Sequence, residues 1–254
     1  MAAKHEIRSN TDTGFLKLIA MLCMLIDHLG AVVYPEYPVM RIIGRLAFPL
    51  FAYCLAVGCF YTHNIGKYAL RVGLLAVIVQ PLYVTAMNHQ AKMAFDWAHN
   101  FYRVDLLARH YLLPYPSILF ALFAGILVIW SIRDRKYALT GLLLALCWYL
   151  DGSLDYGIKG ILLMVLFYAL LDRPLASCVW AALFMCWWGV PTVRSLSGGL
   201  GFLQTGRATV YTQFYAILAL PLIYLPLRTG IRTPRYLAYL FYPAHLALIY
   251  LLTM

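Results

Sequence analysis

Charge and polar stretches are what this sequence lacks. The chain has 254 residues, of which 12% are charged and 63% hydrophobic, with a mean hydropathy of +0.76. An ordinary soluble domain carries about 25% charged residues. No stretch has the polar composition of a soluble domain, which predicts a single integral membrane domain over residues 1–254. Residues 1–14 form a short polar lead without a cleavage site after the first apolar run, so we expect that run to be retained as a helix.

The sequence also lacks the patterns typical of nucleic-acid-binding and metal-binding proteins. The net charge is +10, but the basic residues are scattered between apolar segments and form no continuous stripe. Lipid headgroups and membrane topology explain such scattered charge better. The six cysteines lie inside apolar runs without metal-ligand spacing. We therefore expect the lipid bilayer as a partner, no nucleic acid and no metal. No internal repeat is present, so the usual pointer to an inverted-repeat transporter is missing.

Long apolar runs are what the sequence has instead. A membrane-spanning helix needs about 20 predominantly apolar residues. The runs are continuous and do not alternate as the strands of a membrane barrel do. They predict an all-α, polytopic membrane helix bundle with about nine transmembrane helices, between roughly eight and ten. The candidate spans are 15–33, 41–60, 68–86, 113–131, 137–150, 157–171, 175–190, 209–226 and 236–253.

The lysines and arginines predict the orientation of this bundle. If the N-terminus is cytoplasmic, most of them fall in the cytoplasmic connections, as the positive-inside rule requires. The two long connections, 87–112 and 191–208, then lie outside.

Two polar residues interrupt the first apolar run, in the stretch "LCMLIDHLG". A central Asp costs about 2.5–3.5 kcal/mol to insert, whereas each Leu or Ile gains only about 0.3–0.6 kcal/mol, so Asp27 needs a partner. The residues on its helix face are mostly small, which predicts close packing against another helix. Because successive helix positions rotate by about 100°, we expect Asp27 and His28 to line one cavity without bonding each other.

Two other spans offer partners. Arg41 and Arg45 lie one turn apart in the second span, and Pro49 leaves the Arg45 carbonyl without its helical donor. Arg45 is thus the predicted counter-charge of Asp27. The last span carries His245 among tyrosines, and a second intramembrane histidine is hard to explain by structure alone.

Each of these residues also has a structural interpretation. Asp27 and Arg45 can form an ion pair with no further role, because buried charges must be paired. His245 can be a core histidine bonded to a tyrosine, and Arg41 can anchor the span at the lipid headgroups. Asp155, in the loop "LDGSLDYGIKG", can be a solvated turn residue.

The sequence resembles the TraX family of membrane proteins, named for the enzyme that N-acetylates F-pilin and related to the wider transmembrane acyltransferase superfamily. The matching stretches run in family order from the first span to the last. They are "LKLIAMLCMLIDHLGAVVYP", "RIIGRLAFPLFAYCLAVGCFYTHNIGKYALRVGLLAVIVQP", "ILFALFAGIL", "LDYGIKGILLMVLFYAL" and "LAYLFYPAHLALIYLL".

This resemblance implies transfer of an acetyl group from cytosolic acetyl-CoA to an amine or hydroxyl acceptor at a site within the membrane. The acceptor would be a pilin-like protein or a glycan, the location the bacterial cytoplasmic (inner) membrane, and the only cofactor the acyl-CoA donor. His28 would be the general base. Asp27 would orient or charge-balance the site, and Arg45 would hold the acyl carbonyl oxygen or a donor phosphate.

Other residues are assigned by the same resemblance to binding. Positioning of the acceptor falls to Asp155, His245 and Arg41. The basic cluster at the predicted cytoplasmic mouth would dock the CoA nucleotide; its members are Arg228, Arg232 and Arg235.

Two alternative functions remain open from the residues. Buried Asp, His and Arg also form proton relays, which favours a proton-coupled transporter. The protein can also be a non-catalytic membrane chaperone for pilin-like subunits, with purely structural polar residues.

Overall fold

Every regular element in the described part of the chain is a helix. The computed structural model describes residues 12–87, 116–151, 154–189, 211–225, 229–231 and 233–253. The all-α prediction is therefore confirmed. The elements in chain order are α1 (Thr13–Val32), α2 (Pro38–Gly44), α3 (Ala47–Tyr61), α4 (Ile65–Met87), α5 (Ile118–Arg133), α6 (Tyr137–Tyr149), α7 (Gly157–Ala169), α8 (Pro174–Gly189), a 3-10 helix (Tyr211–Leu218), α9 (Ala219–Tyr224) and α10 (Arg235–Leu252).

The apolar helices indicate a membrane protein, but fewer of the described helices reach spanning length than the nine predicted. Among the described residues, three stretches are long and apolar enough to cross a membrane: Thr13–Val32, Pro38–Tyr61 and Ile65–Met87. The remaining apolar helices have 10–17 residues, shorter than the ~20 residues that a full span needs. Nine full-length transmembrane helices are therefore not confirmed, although a helical segment occupies the position of each predicted run.

The second span is interrupted, and a proline explains where. Pro49 has no N–H, so the Arg45 carbonyl lacks its helical donor, as the sequence predicts. α2 ends at Gly44 and α3 begins at Ala47. Between them the backbone tightens, with the Leu46 N–H donating to the Ile43 carbonyl at 3.2 Å. Arg45 is thereby placed at a break in an otherwise apolar span.

The helices divide into two compact units. Unit 1 contains the described residues of Met1–Cys54 and Ala169–Thr233. In it, α1 packs against α2, and the 3-10 helix packs against both α2 and α8. The Tyr224 hydroxyl donates to Ser177 Oγ at 2.6 Å, and its ring meets the buried Tyr53 edge-on at 6.3 Å between centroids.

Unit 2 contains the described residues of Leu55–Tyr168 and Pro234–Met254. Here α4 packs against α5 and α10, and α5 packs against α6. Arg133 at the end of α5 donates to the carbonyls of Cys59 and Thr62 at 3.1 and 3.0 Å. The guanidinium thus satisfies carbonyl groups that the end of α3 leaves without helical donors.

A hydrogen-bonded clasp joins the start of α1 to Thr229 and Thr233 within unit 1. Asp12 accepts the Phe15 N–H at 3.4 Å as an N-cap, and its other oxygen accepts both the N–H and the hydroxyl of Thr229 at 2.7 and 2.6 Å. Thr233 donates its hydroxyl to the Gly14 carbonyl at 2.6 Å. A Cβ at Gly14 would overlap the Ile231 carbonyl, so only glycine permits this close approach.

The clasp predicts a pH-dependent contribution to stability. The hydrogen bond from the Thr229 side chain lowers the pKa of Asp12. A lowered carboxyl pKa stabilises the fold above the unfolded value of about 3.9, and this contribution is lost as the pH falls through the folded-state pKa. We expect Asp12→Asn to lower the Tm at pH 7 by ~2–4 °C. The difference from the wild type should shrink as the pH falls, as thermal unfolding in detergent would measure.

Thr229→Val offers a control because it removes the hydroxyl hydrogen bond to Asp12 without changing the charge, while the backbone N–H bond remains. It should reproduce part of the loss of Tm at pH 7. Equal Tm values for the wild type and both variants at neutral pH would contradict the clasp.

Candidate functional site

A buried carboxylate held by two arginines forms the centre of the polar site in unit 1. Arg41 Nη1 donates to Asp27 Oδ2 at 2.7 Å and to the Asp27 carbonyl at 2.9 Å. Arg45 Nη2 donates to Asp27 Oδ1 at 3.0 Å. The pairing of Asp27 with Arg45 that the sequence predicts is present. The structural alternative for Arg41 was an anchor at the lipid headgroups. In the structure Arg41 is bound to Asp27 as well.

Two glycines allow the helices of this site to approach each other. Gly44 in α2 lies directly against Asp27, where an added Cβ would overlap the carboxylate and the Asp27 Cβ. Gly30 in α1 lies against Met40, and a Cβ there would overlap the Met40 side chain. The prediction that the Asp27 face packs closely on another helix is confirmed, and α2 is that helix.

The arrangement fixes what each charged group can do. The side chains of Asp27 and Arg45 are only 13% and 9% exposed, and that of Arg41 is 23% exposed. Both carboxylate oxygens accept a hydrogen bond from a guanidinium, so Asp27 is occupied as an ion-pair partner and is a poor general base. Arg45 Nε also donates to the Arg41 carbonyl at 3.3 Å, which holds its planar guanidinium in one orientation.

His28 directly follows Asp27 on α1 and is half-buried. At 1.5 Å per residue it lies about 24 Å along the helix from the clasp at Asp12. The imidazole thus lies on the same helix as the buried carboxylate of Asp27, which two ion pairs hold in place.

The two other predicted acceptor-positioning residues belong to unit 2. His245 on α10 is 3% exposed and its Nδ1 lies 2.9 Å from the Phe241 carbonyl. Its ring stacks on Phe241 at 5.3 Å and meets Tyr242 edge-on at 5.2 Å between centroids. The alternative of a core histidine bonded to a tyrosine is correct in part: His245 is buried in the core, but its Nδ1 hydrogen bond goes to a backbone carbonyl. Asp155 is exposed in the turn before α7.

The sequence analysis missed two buried polar residues of unit 2, Gln80 and Ser117. Gln80 in α4 is fully buried, and its Oε1 accepts the Ser117 N–H at 2.9 Å. The side-chain oxygens of Ser117 and Tyr242 are buried without a hydrogen-bond partner among the described residues. A glutamine inside the apolar run "VIVQPLYV" was the available signal.

The predicted donor-docking arginines are only partly covered by the structure. Arg228 and Arg232 lie outside the described residues. Arg235 is the first residue of α10, but its side chain is not among those described. Their neighbours Thr229 and Thr233 form the clasp with the start of α1. In the described ranges, no group of three or more His, Cys, Asp or Glu side chains is placed to hold a metal ion.

Comparison with known proteins assigns the family. The profile of the TraX protein family matches residues 12–253. This range includes Asp27 with its two arginines and the buried polar residues of unit 2. The chain belongs to the TraX family. It is 24% identical to a probable fimbrial assembly protein of Dichelobacter nodosus, an alignment that covers 92% of each chain. It is 29% identical to an uncharacterised protein of Rickettsia prowazekii over 66% of this chain and 60% of that one. No solved structure shows a significant match.

The contact between Gly44 and Asp27 in this TraX family member is directly testable. Gly44→Ala should push Asp27 away from both arginines, and breaking a buried ion pair costs about 3–5 kcal/mol. We expect a large loss of Tm in thermal unfolding of the detergent-solubilised protein.

Gly141→Ala is the matched control, because no atom lies within 4 Å of a Cβ at that helical position. It should be neutral or stabilising by ~0.5–1 kcal/mol. A Gly44→Ala protein as stable as Gly141→Ala would show that the close approach of α1 and α2 does not hold the site.

Proposed function

We propose that this protein is a membrane acyltransferase that transfers an acetyl group from cytosolic acetyl-CoA to an acceptor amine or hydroxyl. The observation that carries the proposal is a half-buried imidazole next to a buried carboxylate that two arginines hold in place. Membership of the TraX family supports it. In the proposed reaction, the acceptor nitrogen or oxygen attacks the thioester carbonyl carbon while His28 removes its proton. The C–S bond then breaks, and CoA leaves as the thiol after taking up a proton.

The two arginines have the chemistry to stabilise this reaction. Attack on the thioester places negative charge on the carbonyl oxygen, and a fixed cation in a water-poor site stabilises such charge strongly. Arg45 is the better candidate because it is the more buried of the two and is held by both Asp27 and the Arg41 carbonyl. Asp27 would keep that guanidinium in position and balance its charge.

The clasp supports a cytosolic position for the donor. Thr229 and Thr233 are bound at the start of α1, which the basic residues predict to be the cytoplasmic end. Thr229 and Thr233 are therefore tethered at that end, and His28 lies about 24 Å from Asp12 along the same helix. A donor with a nucleotide at the surface and a long arm reaching into the membrane would suit this separation.

The class of acceptor is proposed from the family and its relatives. The Dichelobacter nodosus relative is named a probable fimbrial assembly protein. A pilin-like protein is thus the preferred acceptor, with a glycan as the alternative, and we place the reaction at the bacterial cytoplasmic membrane.

Acetyl transfer by the purified protein tests the proposal. The assay supplies radiolabelled acetyl-CoA with peptides that match pilin N-termini, and label in the peptide is the readout. We expect His28→Ala to lower the rate by about 10²–10⁴-fold, the usual contribution of a general base. His63→Ala is the matched control because His63 is an exposed loop histidine. Unchanged turnover in His28→Ala would remove His28 as the base.

A non-catalytic role in pilus assembly is the second candidate, favoured by the name of the same relative. An assembly factor needs no base, so cells carrying a stably inserted His28→Ala protein should then assemble pili normally and show no change in acceptor acylation. Loss of acylated acceptor in those cells would favour the enzyme. The transporter alternative predicts uptake into liposomes driven by a pH gradient without any acyl donor.

A further inference from the structure

Basic residues that are far apart in the sequence come together at one end of unit 2. Two of them, Lys67 and Arg71, lie in the first two turns of α4. The other three lie at the end of α5 and directly before α6: Arg133, Arg135 and Lys136. All five side chains are exposed. We refer to these five residues as the basic face.

Two contacts hold the parts of the basic face together. Arg133 at the end of α5 donates to the carbonyls of Cys59 and Thr62, which directly precede α4. At the start of α4, a Cβ added to Gly66 would lie 3.2 Å from the ring of Trp130 in the last turn of α5. The start of α4 thus meets the end of α5, and the two helices pack against each other. The fold therefore gathers charge that the sequence leaves scattered.

The charge of the basic face is mostly uncompensated. Residues 59–71 and 130–137 contain five lysines and arginines and one acid, Asp134, which leaves an excess of four positive charges. Asp134 Oδ2 accepts the Trp130 Nε1–H at 3.0 Å and lies 3.9 Å from Lys136 Nζ. The side chains of this ion pair are 63% and 39% exposed, and exposed pairs contribute little. The basic face is therefore suited to an anion.

An exposed apolar stripe continues from the cations along α4. Leu70, Leu74 and Ile78 are 59%, 53% and 72% exposed. They share a helix face with Lys67 and Arg71, because residues three and four apart lie above one another. From Lys67 to Ile78 the helix rises about 16 Å, close to half of a hydrocarbon core of ~30 Å. This face thus has the cationic end and the apolar length that match one phospholipid in one leaflet.

The side chains around the cations also fit a membrane surface. Arg71 Nε donates to the Lys67 carbonyl at 3.1 Å, which draws the guanidinium back toward the start of α4. Long cationic side chains bend in this way to reach the lipid headgroups. Tyr61 at the end of α3 and Tyr137 at the start of α6 are 62% and 68% exposed, and tyrosine is enriched at the membrane interface. A soluble anion would need neither the apolar stripe nor these tyrosines.

We propose that the basic face binds the headgroup phosphate of an anionic phospholipid, with one acyl chain along the exposed stripe of α4. Lys67 and Arg71 bind the phosphate, and Arg135 and Lys136 attract the anionic headgroup. Arg133 joins the two parts of the face. The positive-inside rule assigns this lipid to the cytoplasmic leaflet. The inference lies beyond the proposed acyltransferase function and does not depend on it.

Lipid binding to the purified full-length protein tests the proposal. Native mass spectrometry of the delipidated protein in detergent gives the affinities for phosphatidylglycerol and for phosphatidylcholine with the same acyl chains. The wild type should prefer phosphatidylglycerol. Since each cation near the surface contributes about five-fold, we expect Lys67→Gln with Arg71→Gln to lower the affinity for phosphatidylglycerol about 25-fold and to leave that for phosphatidylcholine unchanged.

Lys159→Gln is the matched control, because it removes a positive charge at the other end of α7. Tyr168 in the last turn of α7 lies near enough to Arg133 to interact with it electrostatically. Lys159 lies about 14 Å earlier along that helix. Its substitution should leave the affinity for phosphatidylglycerol unchanged.

Asp134→Asn tests the charge in the opposite direction. It removes the acid of the basic face and keeps an oxygen that can accept the Trp130 Nε1–H. We expect the affinity for phosphatidylglycerol to rise about five-fold. A variant that had lost its fold would not bind more tightly, so this result separates charge complementarity from damage to the structure.

Three outcomes would overturn the proposal. The first is equal affinity of the wild type for the two lipids, and the second is an undiminished preference for phosphatidylglycerol in the double variant. The third is displacement of the lipid by glycerophosphoglycerol, its headgroup without acyl chains, or by CoA at equal concentration. That result would assign the basic face to a soluble phosphate compound. Acetyl transfer is measured separately, so the acyltransferase function can fail or stand whatever the lipid result.

Discussion

The charge of Asp27 is the constraint on which the site in unit 1 depends. A carboxylate in an apolar helix has to be paired, and its two oxygens take one guanidinium each. The pairing requires that α2 come close to α1, and Gly44 is the residue that permits it. It also requires that Arg45 lie at the level of Asp27, where the missing N–H of Pro49 ends α2. One buried charge thus accounts for a glycine, a proline and two arginines in "RIIGRLAFP".

The same ion pairs divide the chemical roles in the site. Each oxygen of the Asp27 carboxylate already accepts a hydrogen bond from a guanidinium, so the carboxylate is occupied as an ion-pair partner. In the proposed reaction, proton transfer is therefore assigned to His28, the adjacent residue, which is half-buried. Arg45 gains orientation from the arrangement, since it is held at two of its nitrogens. Fixed charge is what stabilises a developing oxyanion.

The sequence predicts part of the fold and part of the site, and physical arguments explain which parts it does not predict. The free energy of inserting a charge is large, so Asp27 stands out and its need for Arg45 follows from magnitude alone. The break before α3 follows from the missing N–H of Pro49. The contact between Gly44 and Asp27 was not predictable, because a close approach of two helices depends on their relative rotation. Gln80 and Ser117 were missed because uncharged polar residues cost much less to insert and give only a weak signal.

The two polar groups differ in how completely their hydrogen bonds are made, and this difference bears on function. Around Asp27 each strong acceptor has a strong donor, so the network is stable and rigid by itself, as a site that acts through a fixed electric field must be. In unit 2 the hydroxyls of Ser117 and Tyr242 are buried with no described partner. A satisfied network loses free energy when a ligand disrupts it, whereas an unsatisfied hydroxyl gains free energy when a ligand supplies its missing bond. In the proposed reaction, the satisfied network around Asp27 is therefore suited to stabilising charge and not to giving up its own hydrogen bonds to a ligand.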